Sequence, residues 1–326
     1  MSLAIGGVAT TTDRIEWSVK MIRELTPELA EIAKRELNEK PNQIQDNVKH
    51  LKDWISKQPH LKARTDDQWL VGMLRGCKYS LERVKRKLDL YYTLRTKAPE
   101  VTLRIKPTDV KFLEFFKLGT CVILPKPKDK LMPRVILIRP GAYDPSKDNV
   151  ADIMCVLYYL VQILIIEDDV ATVLGTKIMV DYENVTMNHF MQGTPSMLKK
   201  MIAVCQDSMP LRLKGSHHIN LPSGIEKIFT LISGLLNEKA KERLKIYKQH
   251  EELFQEIPKE IIPQEYGGAG GRISEIIDYW AAKITEYEDW MLQEVQLGTD
   301  ESKRQGPPPI NLDLGMNGSF RQLEID

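Results

Sequence analysis

Cysteine is scarce in this sequence: Cys77, Cys121, Cys155 and Cys205 are the four among 326 residues, and no two form a C-x-x-C pair. That spacing excludes a zinc ribbon, a redox dithiol and a disulfide framework, and it fits a reducing compartment. A surplus of charge of one sign is missing as well. The 46 Lys and Arg stand against 45 Asp and Glu, so no chain-wide field draws the protein to nucleic acid and any electrostatic function is local. The opening MSLAIGGVATTTDRIEW has no basic region followed by a long apolar run, which gives the expectation of a cytoplasmic protein without a secretory leader. The most apolar run, IMCVLYYLVQILII from Ile153 to Ile166, is interrupted by Gln162 and falls short of the roughly 20 residues of a membrane span. A buried helix is the expectation there.

Catalytic signatures are missing too. There is no G-x-S-x-G elbow, G-x-x-x-x-G-K-[ST] loop, G-x-G-x-x-G fingerprint or H-E-x-x-H pair. The glycines of GGAGG, Gly267 to Gly271, have the wrong spacing for a phosphate loop. His217 and His218 are adjacent in a stretch that reads as a strand, where successive side chains point to opposite faces. The two imidazoles therefore do not ligate one metal, and a structural hydrogen-bonding role is expected for each. No catalytic residue, metal or cofactor is expected.

What is present reads as an α/β protein. From Ile15 to about Ala98 the pattern is helical and polar-rich, with a possible capping box of Thr65 and Gln68, a helix ending at Gly76, and Ser80 capping the next. In that next helix Leu81, Val84, Leu88 and Tyr91 make one face, and Arg83, Lys85, Arg86 and Lys87 a basic face of solvated type. After Pro99, CVILP and RVILIRP read as strands joined by a turn. The apolar helix follows, then the strand GTKIMVDYENV, a helix from about Pro195 to Gln206, the strand LRLKGSHHIN, and one long helix, IEKIFTLISGLLNEKAKERLKIY. Strand and helix in alternation imply a mostly parallel sheet flanked by helices. The expected units are a helical domain over 1–98, an α/β domain over 99–297 and a Pro/Gly-rich tail over 298–326.

Strand alternation puts Arg212 and Lys214 on one face, where two cations repel unless an anion accepts them. The long helix carries an apolar stripe of Ile225, Ile228, Phe229, Ile232, Leu235 and Leu236. Lys239 and Arg243 follow at almost the same angular positions. An apolar face running into a basic end suits a helix lying in a bilayer interface, and equally a core helix with a solvated last turn.

The runs LRLKGSHHINLP, NEKAKERLKIY and IPQEYGG together resemble the CRAL-TRIO lipid-transfer family, and within it the tocopherol- and retinaldehyde-binding branch. Pro210, Arg212, Lys214, Gly215, His217, Ile219, Asn220 and Pro222 match its first motif. Lys239 with Arg243 match the second, and Pro263, Glu265, Tyr266, Gly267 and Gly268 the third. The resemblance spans about Ile44 to Met291. It implies an amino-terminal helical domain and a lipid-binding domain whose sheet floors a deep apolar pocket, closed by the stripe helix as a movable gate.

By the same resemblance Arg212, Lys214, Lys239 and Arg243 grip the headgroup of phosphatidylinositol bisphosphate or a similar anionic lipid. The order of Arg and Lys at the first two positions is the reverse of the tocopherol branch, which keeps charge and alters bidentate geometry. Cys155, Tyr158, Gln162, Val180, Met201, Val204, Cys205, Met209 and Ser216 stand where the family lines its pocket, with Tyr158 and Gln162 in place of small polar residues. The implied function is a non-enzymatic carrier of a small hydrophobic ligand, tocopherol-, retinoid- or phospholipid-like, working at transiently bound membranes. A phosphoinositide-dependent adaptor with a vestigial pocket is the alternative, and a lipid hydrolase or isomerase is disfavoured by the missing motifs.

Overall fold

In the computed structural model residues 21–223 and 233–310 are described. The first third folds as helices, each announced by its ends. α1 (Pro27–Leu37) starts with Pro27 behind Thr26, whose side chain accepts from Leu29 N, and stops at Asn38 in the left-handed region, φ 61°. Its apolar stripe, Leu29, Ala33 and Leu37, is buried with Val173. α2 (Ile44–Ser56) buries Val48, Leu51 and Ile55. After the two-residue strand β1 (Leu61–Lys62), α3 (Asp67–Gly76) is buried on nearly every side.

The expected Thr65–Gln68 box does not form. Asp66 is the N-cap of α3, and Gln68 is buried, its amide oxygen accepting from Arg23 N at 3.1 Å. α3 does end at Gly76, and glycine is needed there because a Cβ would overlap the Pro210 carbonyl. α4 (Leu81–Lys97) buries Val84, Leu88 and Tyr91 as expected. Its basic face is not wholly solvated, however: Lys87 Nζ turns inward and donates to the carbonyls of Asp207 at 2.6 Å and Met209 at 3.2 Å.

Two short helices, α5 (Pro99–Thr102) and α6 (Val110–Lys117), lead into the sheet. The strands β2 (Cys121–Ile123), β3 (Arg134–Ile138), β4 (Thr176–Asp181), β5 (Leu213–Ile219) and β6 (Leu244–Ile246) lie side by side in that order. β2 is antiparallel to β3, and the other pairs are parallel. Between β3 and β4 run α7 (Val150–Glu167) and α8 (Asp169–Leu174). Asn149 caps α7 through Ala151 N, with Asp152 completing the box. α7 is the one described helix long and apolar enough to cross a membrane, yet 89% of it is buried inside the protein. A helix apolar all round is what a core needs.

Between β4 and β5 come α9 (Met187–Gln192), α10 (Pro195–Ile202) and a π-helical turn, Ala203–Ser208.

The long helix expected up to Tyr247 is interrupted. Residues 233–235 are helical, but Asn237 then caps a separate short helix, α11 (Glu238–Glu242), by accepting from Ala240 N at 2.8 Å. The chain beyond it becomes β6. The outer edge of β5 needs partners for its main-chain groups, and β6 supplies them: Ser216 N donates to Arg243 O and Tyr247 N to His218 O, both at 2.9 Å. Lys239 and Arg243 therefore do not extend the apolar stripe.

The remainder comprises α12 (His250–Leu253), α13 (Ile273–Glu286), α14 (Glu288–Glu294) and β7 (Gly298–Thr299). β7 pairs antiparallel with β1, and Arg304 grips Asp89 with two bonds of 2.8 and 2.9 Å. The chain after α14 is thus strapped onto the first helices. A buried triad also binds the two ends, with Glu294 accepting from Arg64 and Arg95, both at 2.8 Å.

Candidate functional site

One face of the sheet buries its apolar side chains fully, and the other, the open face, leaves several of them half-buried. The register places Ile136, Ile178, Ser216 and Leu244 in one row and Ile138, Val180, His218 and Ile246 in the next, all on one side. On the other side Leu137, Met179 and His217 are buried to 1% exposure or less. On the first side Ile138, Ile178, Val180 and Ser216 remain half-buried. The open side is an apolar floor with one polar line across it: His218 shares hydrogen bonds with Ser216 Oγ at 2.8 Å and with the Tyr182 hydroxyl at 3.1 Å.

His217 points the opposite way, to the Tyr247 hydroxyl at 2.8 Å, with the two rings stacked. Burial brings each imidazole down to about 4; Lys177 adds to this at His217, and His217 adds to it at His218. Both rings are neutral hydrogen-bonding groups at pH 7, in agreement with the sequence reading. Tyr182 was missed by that reading, although its place two residues after Val180 puts it on the same face.

The π-helical turn stands beside the floor. Val204 is buried and Cys205 half-buried on it, with Met201 half-buried before it and Met209 buried after it. The Cys121 thiol, at the start of β2, is pushed up by burial and secondarily by the Cys205 thiol nearby. Cys205 itself is raised by burial to about 12. π-turns often mark functional positions, and this one is held from two sides. Lys87 grips its last carbonyls from α4, and Gln206 accepts from Asn237 N at 3.1 Å. Of the gate residues, Ile225, Ile228, Phe229 and Ile232 lie outside the described residues; Leu235 and Leu236 are half-buried.

On α7, Cys155, Tyr158 and Gln162 are all buried. Tyr158 is fully engaged with the first helices, since its ring stacks on Tyr91 at 5.4 Å and its hydroxyl accepts from Arg95 Nη1 at 3.0 Å. Gln162 is the contrasting case: it has no exposure, and neither amide atom has a partner among the described residues. A buried amide left so costs free energy unless something else meets it. A cleft of about 490 Å³ lies elsewhere, between Ile123, Arg134, Ile163, Leu164, Ile276 and Trp280. None of the nine expected pocket residues borders it.

Three of the four expected cations come together. Arg212, just before β5, donates through Nη2 to Val173 O, and Arg243 donates through Nη1 to Leu213 O. Lys214 is the extra residue of a bulge, because Thr176 faces Leu213 while Lys177 faces Gly215. The convergence therefore owes more to this bulge and to main-chain anchoring than to simple alternation. Burial lowers the pKa of both Arg212 and Lys214. The charge of Arg243 lowers each further, while Glu36 opposes the shift. Lys214 Nζ lies 3.7 Å from Glu36 Oε2 on α1. Lys239 is exposed on α11. Nearby in sequence, α9 exposes Met187 at 59% and Met191 at 73%, one turn apart, a pair that an i, i+4 reading of MNHFM could have found.

The signature residues also have visible local roles. Tyr266 donates to Asp181 Oδ2 at 2.5 Å and Asn220 Nδ2 to Asp181 Oδ1 at 2.8 Å, which ties the segment after β5 and the IPQEYGG run to the end of β4. Glu265 accepts from Ile273 N at 2.9 Å, at the start of α13.

Comparison with known proteins agrees with this architecture. Residues 118–268 match the CRAL/TRIO domain, and residues 40–105 match the "Pinta-like, UBA domain". The human alpha-tocopherol transfer protein-like protein is 30% identical over 272 residues, 83% of this chain and 78% of that protein. Human clavesin-2 is 30% identical over 246 residues, 75% of each chain. The crystal structure of Sfh5 superposes with a TM-score of 0.51 at 13% identity, covering 84% of this chain and 98% of that one, which speaks to the fold. With this sheet, the amino-terminal helices and relatives alike over most of their length, the chain belongs to the CRAL-TRIO family of lipid-binding and lipid-transfer proteins.

Proposed function

We propose that this protein is a non-enzymatic cytoplasmic carrier that holds a small hydrophobic ligand on the open sheet face and exchanges it at phosphoinositide-containing membranes. The observation that carries the reading is the asymmetry of the sheet, buried at Leu137, Met179 and His217 on one side and half-open over Ile178, Val180 and Ser216 on the other. An apolar floor with a few polar groups is the usual makeup of a small-molecule site. Val180 and Ser216 belong to that floor, Met201, Val204, Cys205 and Met209 to the wall beside it, and Cys155 and Gln162 to α7. The unpaired Gln162 amide and the Ser216–His218–Tyr182 line are the polar handles. A ligand that is apolar along its length and polar at one end fits this set, whether tocopherol-, retinoid- or phospholipid-like. The name of the tocopherol-like relative favours that class.

The patch of Arg212, Lys214 and Arg243, with exposed Lys239, serves for the headgroup of phosphatidylinositol bisphosphate or a similar anionic lipid. The exposed pair Met187 and Met191 supports contact with a membrane surface. The units of the carrier divide at about residue 98, with the segment from 298 as a strap. Organic extraction of the purified protein followed by mass spectrometry tests the reading. A stoichiometric lipophile is expected; a protein that neither yields nor takes up a lipophile is an adaptor instead.

A further inference from the structure

The basic patch already has a carboxylate in it. α1 is docked on α8 by Leu29, Ala33 and Leu37, which pack with Val173, and that docking brings Glu36 within 3.7 Å of Lys214. Glu36 is out of place by the rules of its own helix. The last turn of α1 otherwise carries Lys34 and Arg35, as the negative end of the helix dipole favours, and a carboxylate there is disfavoured. The cations across the gap compensate for this, with Arg35 also 3.5 Å away on α1. The guanidinium groups of Arg212 and Arg243 each donate to a main-chain carbonyl, whereas Lys214 has Glu36 as its carboxylate. Both Lys214 and Glu36 are partly open to solvent. An ion pair of that length and exposure is weak and easily exchanged.

We propose that Glu36 sets the charge threshold of the lipid headgroup accepted at the Arg212–Lys214–Arg243 patch, as a resident carboxylate that an incoming phosphate must displace. The proposal rests on the headgroup reading above. A headgroup with one negative charge replaces one unit of charge by another and gains little. A headgroup carrying added phosphomonoesters, each about −1.5 to −2, outcompetes the carboxylate. Glu36 therefore raises the charge a headgroup needs for net binding without closing the site.

The test is co-sedimentation with phosphatidylcholine vesicles containing either phosphatidylserine or phosphatidylinositol bisphosphate, using wild type, Glu36→Gln and Lys214→Gln. Removing one negative charge at an anionic surface strengthens binding about five-fold. Glu36→Gln should show this gain on both kinds of vesicle, at least as large on the bisphosphate, because the displaced carboxylate is a cost common to both headgroups. Lys214→Gln should weaken binding to the bisphosphate vesicles. Unchanged affinity of Glu36→Gln for the bisphosphate vesicles, with Lys214→Gln still weakened, overturns the role of Glu36 and leaves the headgroup reading standing. Loss of no affinity in Lys214→Gln overturns the headgroup reading itself. Soluble inositol trisphosphate should bind more weakly than the bisphosphate vesicle; equal binding would assign the patch to a free inositol phosphate and contradict a lipid source.

Discussion

Arg95 donates to the Tyr158 hydroxyl at 3.0 Å, and this bond separates two neighbours on α7 that the sequence presents as equivalent. Tyr158 is spent on the contact between α7 and the first helices, while Gln162, one turn on, is buried with both amide atoms unpaired among the described residues. The two substitutions should therefore part company. Tyr158→Phe removes a bond to a buried cation and should lower stability by about 1–2 kcal/mol with little effect on ligand. Gln162→Met removes an unmet polar group and should raise the stability of the ligand-free protein by about 1 kcal/mol, while loosening the ligand's polar end. Denaturant titrations of the stripped protein, paired with ligand-binding isotherms, check both. A Gln162→Met protein that is less stable and binds as before would make Gln162 a structural amide.

Why the sequence could not make this distinction is plain from α7. A helix apolar on every side carries no periodic signal of which side meets which neighbour. Other elements were legible. The β-branched runs around Ile136 and Ile178 identified parallel strands, and the doublet His217–His218 identified two faces because strand periodicity is strict. The break at Asn237 was hidden because Lys239 and Arg243 continue the helical spacing of Ile232 and Leu236, and NEKAKER has strong helix propensity. What overrides it is tertiary: the free edge of β5 recruits residues 244–246. Lys87 was hidden in the same way, since its inward turn depends on carbonyls 120 residues away.

Lys87 gives a second prediction. Lys87→Met leaves the carbonyls of Asp207 and Met209 without their donor, and it should destabilise the protein by about 1–2 kcal/mol, the cost of unmet polar groups less the relief of a buried charge. Arg86→Met, on the exposed side of the same helix, should change stability by less than about 0.5 kcal/mol. Urea midpoints of the two variants decide the matter. Equal values would return Lys87 to the solvated basic face.

The histidine pair predicts an acid limb. His218 falls from its ordinary 6.5 to about 4 in the folded protein, so the unfolded chain takes up the proton first as the pH drops. The stabilisation is complete above pH 6.5 and is lost as the pH falls to about 4. At ~1.4 kcal/mol per pKa unit, the His218 share is on the order of 3 kcal/mol. His218→Gln should flatten the stability curve between those limits. Parallel curves for variant and wild type would place the acid sensitivity elsewhere.

Gly234 predicts a kinetic effect. A Cβ there would meet nothing within 4 Å among the described residues, and Ala in place of Gly favours helix by ~1 kcal/mol. Gly234→Ala should slow ligand release to vesicles while leaving binding in the absence of membranes near its wild-type value. Stopped-flow transfer to acceptor vesicles reads this directly. Unchanged release would leave Gly234 no role as a hinge.

The account as a whole stands on the coupling of ligand exchange to an anionic surface, and one experiment addresses it most directly. Ligand transfer is measured to vesicles with and without phosphatidylinositol bisphosphate, for wild type and for Lys214→Gln combined with Lys239→Glu. Arg212 and Arg243 are spared because their guanidinium groups hold main-chain carbonyls of the fold. Each charge is worth ~1 kcal/mol near such a surface, so wild type should transfer much faster to the bisphosphate vesicles at low salt. The double variant should transfer to both kinds at the slow rate wild type shows without the bisphosphate. Equal transfer in all four conditions would contradict the account.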